Sequence, residues 1–418
     1  MAGNGQASAV TLFELLREHP LTTRTELVRL SGLSKATVSE AIGALLEQGF
    51  LNEVGKRQPG RGRSQVVLEF APRSRLVLGV QFTEHGCHAV LADLRAAPIT
   101  YADRPLSGST PAEFVDAVVD CVDELRQHAD APIIGLGVGV PGLIDPTGRE
   151  VVVSVPHGWQ HVPICDMLEA RLGLPVVATN RAKAAALGEY WQGDHTSSAE
   201  RDNLVYVFVG SGIVAGFVMG GKLYLGSGGA AGELGHVTVL PDGPVCGCGN
   251  RGCLYMLSSE SAILRAVRTR ARQQSASFLR ESLPMQSLGM LSLQLLIEAA
   301  NDRNEIVLET VREAATYLGI AIANVVNLMN PSLVVIGGPV AEFGAPFIEQ
   351  VYSEVRQRAL WDALHGVTIV SSALGDNAGT VGAAALYLDH MNISALLEDV
   401  GAFSSSRIAR TQATSRSL

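Results

Sequence analysis

Charge is scarce in this chain. Of its 418 residues only 17% are Asp, Glu, Lys or Arg, and 5% are aromatic. The charge present leans acidic, with 41 acids against 32 bases and a net charge of −9, which excludes a basic nucleic-acid coat. Six cysteines over this length cannot form the dense disulfide framework of a small secreted domain. The N-terminus lacks a basic region followed by an apolar stretch, so no secretory signal is expected. One long apolar run exists, Leu204–Gly221, interrupted only by Ser211. Its five glycines and its Val and Phe content fit two buried strands around a glycine turn better than a membrane span. Against these scarcities stand 47% hydrophobic residues and 44 glycines. That is enough for a large core in about two or three domains and too apolar for an intrinsically disordered chain. A soluble, cytoplasmic protein is expected.

The bases are unevenly placed. Residues 1–70 hold eight bases and seven acids, while the remainder holds 24 and 34. Helical spacing over Val10–Glu18 ends at Pro20, and Thr23-Arg24-Thr25-Glu26 reads as a capping box that starts a second helix running to about Leu30. Ser34 can cap a third helix, Lys35–Gln48, with Val38, Ile42, Leu45 and Leu46 inward. Strand-like runs Phe50–Val54 and Gln65–Phe70 flank a Gly/Pro-broken loop with four bases and no acid. This is the pattern of a winged helix-turn-helix over residues 1–72, and its expected partner is a double-stranded DNA operator. Candidate DNA contacts are Ser34, Lys35, Ala36, Thr37 and Ser39 on the third helix, whose small or hydrogen-bonding side chains suit a major groove. Lys56, Arg57, Arg61 and Arg63 on the wing suit phosphates or the minor groove. The pattern also fits a small helical protein-interaction module with a solvated basic loop.

Residues 73–390 alternate strand-rich and helical segments, an α/β pattern with two similar halves, each opening with an antiparallel hairpin. A cleft between the halves is the natural ligand pocket. Strands are expected at Leu76–Val80, His88–Asp93, Pro98–Tyr101, Ile133–Val140, Leu174–Thr179, Val205–Val209, Ile213–Met219, Lys222–Tyr224 and Leu333–Ile336. Helices are expected at Pro111–Gln127, Ala182–Tyr190 and Gly379–Leu388. The sharpest local signal is GELGHVTVLPDGPVCGCGNRGC. His236, Cys246, Cys248 and Cys253 supply one imidazole and three thiols, the four donors of a closed structural zinc site. Three reduced cysteines beside a core histidine are the plainer alternative.

The zinc segment, the preceding VFVGSGIVAGFVMGGKLYLGSGGAAGELGH, and the segments GVGVPGLID, TNRAKAAALGEYW and LVVIGGPVAEFG together resemble the ROK family of repressors, open reading frames and sugar kinases. The N-terminal domain, with ATVSEAIGALLEQGFLNEVG and GRGRS, is similar to that of its repressor branch, which holds xylose, Mlc-type and N-acetylglucosamine repressors. The resemblance implies a ribonuclease-H-like (actin/hexokinase-like) bilobal body that binds sugars in its cleft, and a homodimer or homotetramer.

Departures from the family pattern bear on activity. Where the kinases carry D-x-G-G-T to handle Mg-ATP, this chain has Gln81-Phe82-Thr83-Glu84-His85. Where they carry Asn-Asp, with the Asp as general base on the sugar hydroxyl, it has Asn180-Arg181, and a guanidinium accepts no proton at neutral pH. Kinase activity is therefore not expected. By resemblance the effector site comprises Trp159, Asn180, Arg181, Glu233, His236 and Tyr255, with Tyr255 replacing a family Glu and His236 serving metal and sugar alike; a tryptophan of the core is the equal alternative for Trp159. Arg181 either pairs with Glu233 or Glu189, or recognises an acidic or phosphorylated sugar, or leaves a neutral sugar bound in a changed pose. The leading expectation is a sugar- or sugar-phosphate-responsive transcriptional regulator. A kinase with an appended DNA-binding domain and an orphan, zinc-held dimerisation platform are the alternatives. The stretch 391–418 is polar and is expected to be disordered.

Overall fold

The computed structural model describes residues 2–57, 64–83, 86–106, 108–194, 202–273 and 291–391. Arg61 and Arg63 of the wing, the Glu84-His85 pair and the polar tail from residue 392 onward lie outside these residues.

The N-terminal unit is built on its caps. Helix α1 (Ala2–Glu18) stops just before Pro20, since the residue preceding a proline avoids helical geometry. A short strand, β1 (Leu21–Thr23), follows. In α2 (Arg24–Ser31) the Glu26 N–H donates to Thr23 Oγ1 at 3.3 Å, and the Thr23 N–H donates to Glu26 Oε2 at 3.0 Å. That is the expected reciprocal cap. In α3 (Lys35–Glu47) the Thr37 N–H donates to Ser34 Oγ at 3.2 Å. Its buried face is Val38, Ala41, Ile42 and Leu45, and Leu46 is only half-buried. Strands β2 (Leu51–Arg57) and β3 (Gln65–Phe70) form the wing, in a sheet of order β1-β3-β2. Phe13 meets Phe50 and Phe70 edge-on at 5.5 and 5.4 Å. This core does not close on itself. Leu12, Phe50 and Phe70 belong to one apolar cluster with Val77, Ala92, Leu94 and Ala96 of the body.

The body has two lobes of the same plan. The first runs β4 (Leu76–Phe82), β5 (Gly86–Asp93), β6 (Pro98–Pro105), α4 (Pro111–Arg126), β7 (Ile133–Val140), β8 (Leu143–Ile144), β9 (Val151–Ser154), β10 (Trp159–Val162), α5 (Ile164–Leu172), β11 (Val176–Asn180) and α6 (Arg181–Gln192). The second runs β12 (Asn203–Val209), β13 (Ile213–Met219), β14 (Lys222–Tyr224), α7 (Glu260–Gln273), α8 (Leu293–Asn301), α9 (Glu305–Met329), β15 (Leu333–Gly337), α10 (Ala345–Arg358), β16 (Thr368–Ser371) and α11 (Ala378–His390). The sheet orders are β11-β7-β4-β5-β6 and β16-β15-β12-β13-β14. In both, an antiparallel hairpin is extended on one side by parallel strands. The apolar run Leu204–Gly221 is the hairpin β12–β13, and no described helix is long and apolar enough to cross a membrane.

Helices α5 and α7 to α10 and strands β1, β8, β9, β10 and β16 were not foreseen from sequence. In α9 the buried residues recur at helical spacing, as Ile306 and Val307, Thr310 and Val311, Ala314 and Ala315, Leu318, Ala321 and Ile322, and Val325 and Val326. They form one wide apolar face, a signal the sequence did carry.

The lobes meet where α6 and α11 cross. A Cβ at Gly382 would overlap the Ala184 carbonyl oxygen, and one at Gly188 would overlap that of Ala378. Gly43 on α3, by contrast, has nothing within 4 Å of such an atom. Gly382→Ala should therefore cost about 1–3 kcal/mol by overpacking, whereas Gly43→Ala should gain about 0.5–1 kcal/mol by helix propensity. Urea-unfolding midpoints of the two variants check this, and a neutral Gly382→Ala would contradict the packing described.

Candidate functional sites

The first turn of α3 presents the surface expected of a groove reader. Ser34, Lys35, Ala36 and Ser39 are exposed, and Thr37 is half-buried. Ser34 Oγ and Thr37 Oγ1 lie 2.8 Å apart, so Ser34 spends its hydroxyl on capping the helix and fixing Thr37. Lys35 projects from the helix N-terminus. Lys56 and Arg57 are exposed on β2. An Arg24–Glu53 contact at 3.3 Å ties α2 to the wing.

In the body, β11 delivers Asn180 and Arg181 to the interlobe cleft. Asn180 caps α6 by accepting from the Ala182 N–H at 2.8 Å, and its Nδ2 donates to the Gly142 carbonyl at 2.8 Å. The Arg181 guanidinium lies 4.5 Å from the Phe208 ring centroid and donates to Ser211 Oγ at 3.1 Å. It is thus turned toward the glycine turn between β12 and β13. Glu189 is fully buried and accepts from Ser372 Oγ and, at 3.2 Å, from the Leu374 N–H, which holds the segment after β16.

Lys183, one turn into α6, was missed. It is 3% exposed, and its Nζ donates to the Gly229 carbonyl. Burial pulls its ammonium below the usual lysine range, and the charge of Glu233 opposes that shift. It lines a small cavity with Asp145, Thr179 and Asn180. The signal available was a single lysine inside the alanine run RAKAAAL.

Glu233 and His236 flank a short turn, Leu234–His236, and both are exposed. Gly232, at φ 94°, makes that turn possible, because a Cβ there would overlap the Ala215 carbonyl oxygen. Tyr255 is half-buried, its ring 6.4 Å from that of His236.

Of the two places open to Trp159, beside a sugar or in the core, it takes the core. It is 4% exposed in the first-lobe core, edge-on to Phe114 at 4.9 Å, and its indole N–H donates to the Ser109 carbonyl at 2.5 Å. His157 lies against its ring at 5.0 Å. The aromatic bulk and its one donor are already used, so Trp159 is a core residue.

The four candidate metal ligands do converge. The donor atoms of His236, Cys246, Cys248 and Cys253 all lie within 4.8 Å of one another. His236 Nδ1 is 3.8 Å from Cys246 Sγ, and the sulfurs of Cys248 and Cys253 are 3.7 Å apart. A tetrahedron with Zn–S bonds of ~2.3 Å has edges of about 3.8 Å. The Asn250 backbone N–H, followed by Cys246, holds the Cys248 thiol down to about 7, while burial pushes Cys253 up to about 11. Three sulfurs this close cannot all ionise without a cation among them. With Nδ1 facing the cysteines, Nε2 of His236 is directed away from them.

On the kinase side, the Gln81 side-chain amide packs on Gly379 at the start of α11, where a Cβ would overlap it.

Comparison with known proteins identifies the family. A family model described as the ROK family matches residues 78–390, and one described as the IclR helix-turn-helix domain matches residues 8–55. A putative xylose repressor from Caldicellulosiruptor sp. is 32% identical over 390 residues, covering 92% of this chain and 96% of that protein. A glucokinase from Halalkalibacterium halodurans is 34% identical over 269 residues, covering 63% of this chain and 80% of that protein. The crystal structure of a ROK family transcriptional regulator, a homologue of the E. coli MLC protein, aligns with a TM-score of 0.81 at 24% identity over 95% of this chain and 98% of that one. With a ROK match across both lobes and a relative similar along nearly its whole length, this chain belongs to the ROK family.

Proposed function

We propose that this protein is a DNA-binding transcriptional repressor whose ROK body answers to a sugar or sugar phosphate and transfers no phosphate. The observation that carries the reading is the capped α3 with its exposed polar first turn, set on a domain whose core continues into the body. Repressor-named relatives that match along the whole chain support it. A homodimer or homotetramer would offer two α3 helices to half-sites about one DNA turn apart. The absence of kinase activity rests on chemistry. Arg181 cannot serve as a general base, and Gln81 brings no carboxylate to organise a metal. The kinase reading draws on the glucokinase relatives, and an ADP-release assay across glucose, xylose and N-acetylglucosamine decides between the two. Turnover of any of them would overturn the repressor-only assignment.

His236, Cys246, Cys248 and Cys253 are proposed to hold one Zn2+, which supplies structural cross-linking with no coordination position left open. One zinc per chain is expected by elemental analysis. Cys248→Ser should lose it together with much of the thermal stability, because metal binding and loop folding are coupled. A zinc-free chain of equal stability would count against the site.

Operator binding is the direct test of the function. The duplex chosen from a random library by the full-length protein should bind tightly, and one sugar or sugar phosphate should shift that affinity. Replacing Arg61 and Arg63 with Ala should weaken binding to all sequences alike and flatten the salt slope by roughly 1 to 2 units, about one per lost phosphate contact. An unchanged slope with relaxed sequence preference would mean that these arginines read bases.

A further inference from the structure

We propose that α6 is a rod coupling the cleft to the DNA-binding domain, with the stack of Arg17 on Trp191 as its joint. The proposal rests on the reading of this chain as a sugar-answering repressor.

The two ends of α6 sit in different sites. Its first turn carries the Asn180 cap, then Arg181 on Ser211 and Lys183 on Gly229, all at the cleft. Its last turn carries Trp191 and Gln192. The guanidinium of Arg17, from the last turn of α1, lies 3.9 Å from the centroid of the Trp191 ring. Gln192 Nε2 donates to the Arg95 carbonyl at 2.6 Å. Next to Arg95, the Leu94 N–H donates to the Pro72 carbonyl at 3.1 Å, at the junction between the two domains. The far end of α6 therefore touches the first helix of the DNA-binding domain directly, and it reaches the connector through the β5–β6 turn.

Between its ends α6 has no freedom to bend. A helix of this length spans ~18 Å, and every residue from Ala182 to Glu189 is buried. Ala184 and Gly188 are in backbone contact with Gly382 and Ala378 of α11. A helix packed this closely moves as a body, because interior packing transmits displacement instead of absorbing it. The same seat takes in the end of α11, where the charge of Asp389 acts on Arg17. Helix α1 thus meets α6 through the Arg17 side chain, which also feels the charge at the end of α11. A ligand that engages Arg181 or Lys183 displaces the start of α6, and the displacement reaches α1 through Trp191. DNA held by α3 must favour or oppose the same displacement, since coupling between two sites is reciprocal.

The test uses full-length wild type, Trp191→Leu and Arg17→Met. Calorimetric titrations with xylose, glucose, N-acetylglucosamine and their phosphates accompany binding to the library-selected duplex with and without each sugar. In the wild type the active sugar should change duplex affinity by about 5- to 150-fold, the usual range of coupling. In both variants that factor should fall to within about twofold of unity, while sugar affinity and sugar-free duplex affinity stay within about threefold of wild type. An undiminished factor in both variants overturns the proposal. If no sugar alters the wild-type affinity, the sugar-answering reading fails on its own, and hydrogen exchange in the free protein then judges the rod. Asn180→Ala, which uncaps α6, should raise exchange in α1 when Trp191 is present and leave it unchanged in Trp191→Leu. Identical α1 exchange with and without the Asn180 cap overturns the coupling.

Discussion

The architecture depends on two helices touching through their backbones. Helix α6 leaves the first lobe and lies on the second sheet, where a Cβ at Gly216 would press on Ala186 and Lys183. Helix α11 leaves the second lobe and lies on the first sheet, where a Cβ at Gly79 or Gly137 would overlap the carbonyls of Thr380 and Ala383. Each lobe is therefore completed by a helix belonging to the other. The exchange is possible only because glycine and alanine line both surfaces of the crossing. Large side chains would hold the helices 8–10 Å apart, as in ordinary packing, and the first turn of α6 could not then reach Ser211 and Gly229 of the second lobe.

The chemistry of the cleft follows from which groups that crossing delivers. Asn180 uses its amide oxygen on the α6 cap and its amide nitrogen on Gly142. Arg181 is turned onto Phe208 and Ser211, the side where the glycine turn lies. Lys183, not foreseen, is the cation on which the charge of Glu233 acts. A phosphoryl-transfer enzyme needs a base where the sugar hydroxyl is deprotonated, and a guanidinium at Arg181 cannot be one. A sensor has a weaker requirement. It must only bind its ligand unequally in two states, and side chains mounted on a helix that reaches the DNA-binding domain are placed to make that difference count.

The strands were the most legible part of the fold. Ile133–Val140, Ile213–Met219 and Lys222–Tyr224 fall where the apolar runs and their bounding glycines put them. Thr23 and Ser34 cap their helices because a cap is a local device that needs only a few residues to declare itself. Long-range features were less visible. β1 has three residues, too few for alternation, and exists because β3 offers it a partner. The wide apolar face of α9, by contrast, does repeat every three to four residues and was a legible signal, though not foreseen. Trp159 suited a sugar platform and a core equally by its position in the chain, and Phe114, forty-five residues earlier, covers it. Lys183 carried no motif. Its role depends on Gly229, a residue of the other lobe. The cysteine cluster was legible because its spacing alone brings the sulfurs together.

That cluster also bears on the cleft. His236 faces the three cysteines by Nδ1 and is otherwise exposed, and Glu233 stands one tight turn before it. The turn is held from one side by Gly232 against Ala215 of β13. From the other side it is held by the loop that carries Cys246, Cys248 and Cys253. An exposed carboxylate and an exposed imidazole on a three-residue turn would ordinarily sample many positions, and ordering them on binding would cost affinity. The proposed zinc would remove most of that cost by fixing the His236 ring through Nδ1, leaving Nε2 to face a ligand. A zinc at the proposed site would in this way set which nitrogen of His236 the proposed effector meets, without itself taking part in any chemistry.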